Sequence, residues 1–72
     1  MKTDFQYIRF YPMPNANGRG RWECRNKKAG NELGQVLWYV HWRQFIYVPT
    51  TDAVYSTGCL RDICTFIESI KP

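Results

Sequence analysis

One histidine, three cysteines and six carboxylates are the residues of this chain that could support acid–base, nucleophilic or metal chemistry. A nucleophile needs a base within reach, and a structural zinc needs four ligands in characteristic pairs. His41 would have to serve any triad, yet Tyr39 and Arg43, its same-face neighbours on a strand, are not triad partners. It reads instead as a strand histidine making one hydrogen bond. Cys24, His41, Cys59 and Cys64 total four candidate ligands, but no CxxC or HxxxH spacing gathers them. The carboxylates Asp4, Glu23, Glu32, Asp52, Asp62 and Glu68 are scattered along the chain, so no acid–base pair is prescribed. Gly18-Arg19-Gly20 is followed by no GK[ST] and opens no helix, which excludes a phosphate loop. Neither a catalytic set nor a cofactor is expected.

Binding chemistry is better represented. Arg19, Arg21, Arg25, Lys27 and Lys28 place five positive charges within ten residues, opposed by Glu23 alone. Arginine on a strand can grip phosphate bidentately, and lysine in a turn adds a looser positive field. The plainer account of the same run is a solvated sheet face. Trp38 to Gln44 then brings three large aromatics, an imidazole, a guanidinium and an amide into seven residues. Aromatic planes beside guanidinium groups suit base stacking combined with phosphate recognition. Strand alternation sends Trp38 and Trp42 to one face, and Tyr39, His41 and Arg43 to the other. Trp38 is expected beneath the helix as core, and Trp42, at the strand end, as the aromatic that meets a ligand. The candidate ligand-binding set is therefore Arg21, Arg25, Lys27, Lys28, Tyr39, His41, Trp42, Arg43 and Gln44.

The elements that must position these residues follow from pattern. Residues 5–11 (FQYIRFY) are aromatic and β-branched and read as a first strand. Residues 12–20 (PMPNANGRG) are loop chemistry, and read as a flexible tether to the rest of the fold. Residues 21–26 (RWECRN) alternate, with Trp22 and Cys24 on one side and Arg21, Glu23 and Arg25 on the other. Gly30-Asn31 marks a hairpin. Residues 33–42 (LGQVLWYVHW) form the longest strand, apolar on both sides and hence central, with both faces at least partly covered. Arg43-Gln44 reads as a turn before a short strand over 45–48, ended by Pro49. The period then changes. Leu60, Ile63, Cys64, Ile67 and Ile70 recur on one helical face over 57–71, with Ser56 or Thr57 as cap. The sum is one α+β domain spanning 1–72, an antiparallel sheet of three to four strands packed on one C-terminal amphipathic helix.

Composition sets limits. At 72 residues the chain buries only about 60% of its unfolded surface, so its core is marginal and a homo-oligomer is expected. Aromatics form 17% of the residues, which offsets the small size because each buries a large area. Three cysteines do not make an even framework, and Met1 to Tyr11 has no apolar leader segment, so a cytoplasmic protein with reduced thiols is expected. No run approaches membrane-spanning length. The net charge of +4 favours an anionic partner.

From Trp22 to Ile67 the chain resembles a family of small, uncharacterised phage and bacterial proteins. The shared positions are Trp22 and Asn26, then Gly30, Leu33, Gly34, Val36, Trp38, Tyr39, Trp42, Arg43, Gln44 and Pro49, then the helix residues Cys59, Leu60, Asp62, Ile63, Phe66 and Ile67. The resemblance implies a phage or mobile-element origin and a role against host defence, either by blocking a defence protein or by sequestering a nucleotide messenger. In architecture alone, a three-stranded sheet with one helix is similar to DNA-binding modules of some integrases and plant ethylene-response factors. There Arg21, Trp22, Arg25 and Arg43 would enter the major groove. The leading expectation is a non-enzymatic binder of a nucleotide or other phosphate-containing ligand. A sheet-mediated DNA- or RNA-binding module and a protein–protein inhibitor are the alternatives.

Overall fold

The computed structural model describes residues 1–14 and 18–71. They form strands β1 (Ile8–Pro12), β2 (Arg21–Asn26), β3 (Glu32–Tyr39) and β4 (Gln44–Pro49), followed by helix α1 (Thr57–Ile70). The strands make one antiparallel sheet in the order β1-β2-β3-β4. This is the α+β class that the pattern predicts.

β1 begins later than expected, because Phe5 to Ile8 closes a tight turn through Phe5 N donating to Ile8 O at 3.0 Å. The loop expected as a tether joins two paired strands: β1 lies beside β2, with Phe10 opposite Cys24 and Met13 N donating to Arg21 O at 2.8 Å. Residues 15–17 of that loop fall outside the described residues.

The β2–β3 turn has a legible cause. Asn26 Oδ1 accepts from Lys28 N and Ala29 N, each at 2.9 Å, and Gly30 takes a φ of 80° that a side chain would resist. After it the register slips between Cys24 and Arg25: Cys24 faces Gly34, Arg25 faces Glu32, and Leu33 is the extra residue. The bulge lets Leu33 and Gly34 both be buried. Its carbonyl is not orphaned, since Leu33 O accepts from Thr50 N at 2.9 Å and from the Tyr55 hydroxyl. Gly34 has to be glycine. A Cβ there would sit 2.5 Å from the Tyr47 ring and 2.6 Å from Val48 O.

β3 is central but covered on one face only. Val36, on the helix side, is fully buried, whereas Leu37 and Tyr39 on the other side are half-exposed. α1 starts at its Ser56 cap, whose side chain accepts from Cys59 N at 3.1 Å. It packs through Phe66, whose ring lies 4.0 Å from that of Phe10 and nearly parallel to it, with Trp22 edge-on at 5.4 Å. Phe5, Ile8, Cys24, Leu33, Val36 and Ile63 complete the buried cluster.

The helix therefore rolls away from the expected stripe. Ile63, Ile67 and Ile70 face the sheet as predicted, but Phe66 and Cys59 join them while Leu60 and Cys64 face solvent. Both stripes share the helical period. The larger aromatic wins because it fills the space over Phe10 that an aliphatic residue would leave open. Phe66→Ala should then cost about 3–5 kcal/mol in denaturant unfolding, and Leu60→Ala within about 0.5 kcal/mol. Equal losses from the two variants would refute the rolled packing.

Candidate functional site

Side chains alternate on each strand, so the register alone defines the face that α1 leaves open. It carries Arg9 and Tyr11 from β1, Arg21, Glu23 and Arg25 from β2, Gln35, Leu37 and Tyr39 from β3, and Gln44, Ile46 and Val48 from β4. Its β1–β2 half is charged, and its β3–β4 half carries no charge.

β3 stops at Tyr39, three residues before its expected end. Residues 40–43 are the turn into β4, held by Trp42 N to Tyr39 O at 3.2 Å and Arg43 N to Val40 O at 3.3 Å. The predicted alternation therefore fails beyond Tyr39. Trp42 folds to the Tyr39 side rather than the Trp38 side, edge-on to the Tyr39 ring at 5.0 Å. His41 lies on the same ring at 5.2 Å, exposed in the turn and not a mid-strand residue, and it has no hydrogen bond among the described residues. Gln44 opens β4 opposite Tyr39 and does not belong to the turn. Trp42 is 65% exposed. Arg43 is held at φ 54°, the left-handed region in which a residue with a Cβ is strained by about 1 kcal/mol. Trp38 is half-buried, with Phe45 edge-on at 5.1 Å and the Arg19 guanidinium 4.1 Å over its ring, which is where the helix was expected.

The basic run is divided along the sheet. Arg21 sits at the Tyr39 end, opposite Leu37, and Tyr39 is its diagonal neighbour at a typical 7–8 Å. Arg25 lies four residues further along β2, about 13 Å away, at the end that leads into Lys27 and Lys28. There the charges are engaged. Arg25 pairs with Glu23 and donates to Gly30 O, while Lys27 Nζ reaches Asp4 at 2.7 Å and Phe5 O at 2.9 Å. Arg9 holds the same Asp4 at 3.2 Å. These contacts pin the N-terminal residues and the β2–β3 turn to the sheet. Lys28 is exposed and forms no ion pair among the described residues.

Arg21 is different. Its Nε is buried without a hydrogen-bond partner, and no carboxylate pairs with it among the described residues. The expected set thus separates in two. Arg21, Tyr39, His41, Trp42, Arg43 and Gln44 gather at one end of the open face, and Arg25, Lys27 and Lys28 at the other. Sequence reasoning missed Arg9 and Tyr11, which share the face because β1 is a full sheet member. Trp22, offered as a groove-reading residue, packs on the helix side instead.

The reactive groups elsewhere are quiet. Burial pushes the Cys24 thiol up to about 11, so it stays protonated at neutral pH. Burial, then the Tyr55 hydroxyl at 2.9 Å, raises Tyr47 as well. No three of His, Cys, Asp and Glu cluster as a metal cage, and no pocket is enclosed, among the described residues. Among the described residues no helix is long and apolar enough to cross a membrane. Comparison with known proteins finds no family model, no curated protein and no solved structure that matches the chain.

Lys27, then Arg9, hydrogen-bonds Asp4 and holds it below the usual carboxylate range, and Arg25 does the same for Glu23. A folded pKa below the unfolded one stabilises above the unfolded value, about 4, and the gain is lost as pH falls through the folded value. Thermal unfolding followed from pH 6 down to about pH 2 should show this loss, with a shallower fall for Asp4→Asn than for the wild type. Superimposable profiles would show that the Asp4 pairs contribute nothing.

Proposed function

We propose that this protein is a non-enzymatic binder of a phosphate-containing ligand, and that the ligand lies across the uncovered sheet face as a strand of nucleic acid. The observation that carries this reading is Arg21, a guanidinium without a carboxylate partner among the described residues, diagonal to the Tyr39–His41–Trp42 ring cluster. Phosphate supplies the opposite charge that the half-exposed Arg21 does not find among the described residues, and an exposed indole supplies a stacking plane for a base. The strained backbone of Arg43 supports the same reading. Glycine or asparagine would fit a left-handed turn position better, so the arginine is held there at a cost.

Ligands of nucleotide size are usually enclosed in a concave site of several hundred Å3. The described residues enclose none, and this moves the reading from a sequestered mononucleotide toward an extended strand. The setting we propose, a phage or mobile-element protein acting on host defence in the bacterial cytoplasm, rests on the resemblance of residues 22–67 to small phage and bacterial proteins alone.

Fluorescence anisotropy with labelled oligo-dT and oligo-U over a salt series tests the reading. Arg21→Ala should weaken binding roughly tenfold and lower the log–log salt slope by about 0.7. Trp42→Ala should weaken it by a similar factor without changing the slope, because stacking releases no counterions. Arg43→Gly should lose affinity while leaving stability unchanged or up to about 1 kcal/mol higher, since the strain is relieved. Absence of oligonucleotide binding at low salt, with no thermal shift by cyclic or linear nucleotides, would overturn the phosphate reading and leave Trp42 as a contact for a protein partner.

A further inference from the structure

The two edges of the sheet are finished differently. At the β1 edge the chain folds back on itself: Phe10 N donates to Thr3 O at 2.9 Å, and Asp4 bridges Arg9. Charge sits on that edge as well, in the Arg9–Asp4–Lys27 group. Strand edges closed and charged in this way do not recruit another strand. The β4 edge has neither protection. Nothing among the described residues pairs with its free side, and QFIYVP contains no charged residue in a chain of net charge +4. An open, neutral, β-branched and aromatic edge is a template for strand addition.

We propose that β4 pairs antiparallel with β4 of a second copy of this chain, joining two sheets into one of eight strands. This interface does not rest on the ligand reading: its hydrogen bonds are main-chain ones on the β4 edge, and of the residues gathered with Arg21 only Gln44 lies on that strand. The strand is complementary to itself. With the two-fold axis at Ile46, Gln44 faces the partner's Val48, Phe45 faces the partner's Tyr47, and Ile46 faces the partner's Ile46. Residues opposite one another then share a sheet face, with Phe45 and Tyr47 on the helix side and Gln44, Ile46 and Val48 on the open side. Like charges are not opposed in any of these pairs, and both copies meet where neither brings charge. A charged partner strand would instead set its ions against apolar neighbours. Pro49 has no N–H and ends the ladder, so five residues pair on each side. An interface this short is at the small end of the range, below about 1,200 Å2 in total, and gives a reversible dimer.

Sedimentation equilibrium of the full chain tests this. The mass should climb from 8.6 kDa toward twice that value as concentration rises to about 1 mM. Ile46→Lys and Ile46→Glu should each stay at 8.6 kDa, and an equal mixture of the two should recover the dimer, because position 46 faces itself. Val48→Lys, which faces Gln44, should weaken association less than Ile46→Lys. Circular dichroism shows whether each variant is folded. Amide exchange on the wild type needs no variant: the outward-facing β4 amides should slow with concentration, while those of β1 should not. A wild-type mass fixed at 8.6 kDa up to about 1 mM would overturn the proposal. So would a dimer that Ile46→Lys leaves intact, a mixture that stays monomeric, or concentration-independent β4 exchange.

Discussion

A single helix must cover a four-stranded sheet, and most of the structure follows from that shortage. A 14-residue helix is about 21 Å long and 10 Å wide, against a sheet about 19 Å across. It can close one face, and it does so by laying Phe66 flat on Phe10, with Trp22 edge-on beside them. That stack joins the last element of the chain to the first, with β2 between them. The marginal core of a 72-residue chain is then built outward from it, through Ile8, Cys24, Val36 and Ile63. The opposite face, with nothing left to cover it, stays open.

Where α1 does not reach, the chain uses local devices. The bulge at Leu33 directs two successive residues inward, and its carbonyl is satisfied by Thr50 and Tyr55. Tyr47 lies over Gly34 and hydrogen-bonds Tyr55, which ties the β4-to-helix connection to the sheet. At the other end of β3, Arg19 closes over Trp38, so a guanidinium serves as a lid where a helix residue would otherwise sit. Each device satisfies polar groups near the core without adding another element.

Charge is divided by the same geometry. Arg9, Arg25 and Lys27 are spent on Asp4 and Glu23, holding the N-terminal residues and the β2–β3 turn in place. Arg21 and Arg43 are left at the aromatic end of the open face, beside Tyr39, His41 and Trp42. A run that looks uniform in sequence thus has a part committed to ion pairs and a part that forms none among the described residues. Charge density alone did not distinguish them, because Asp4 lies more than twenty residues from Lys27 in the chain.

The sequence by itself determined what depends on neighbours a few residues apart. The strand character of RWECRN, the Gly30 turn, the Ser56-capped helix and the α+β class could all be read from period, caps and turn chemistry. Tertiary structure decided what depends on distant residues. Phe66 faces the sheet because Phe10 is there to meet it, which no helical period reveals. β3 ends at Tyr39 because pairing with β4 requires a turn over 40–43, and that turn carries Trp42 onto the Tyr39 side. Arg25 and Lys27 are committed because the fold brings Glu23 and Asp4 to them. Local pattern records which conformations are cheap, and only the assembled sheet and helix determine which of them bury surface and satisfy charge together.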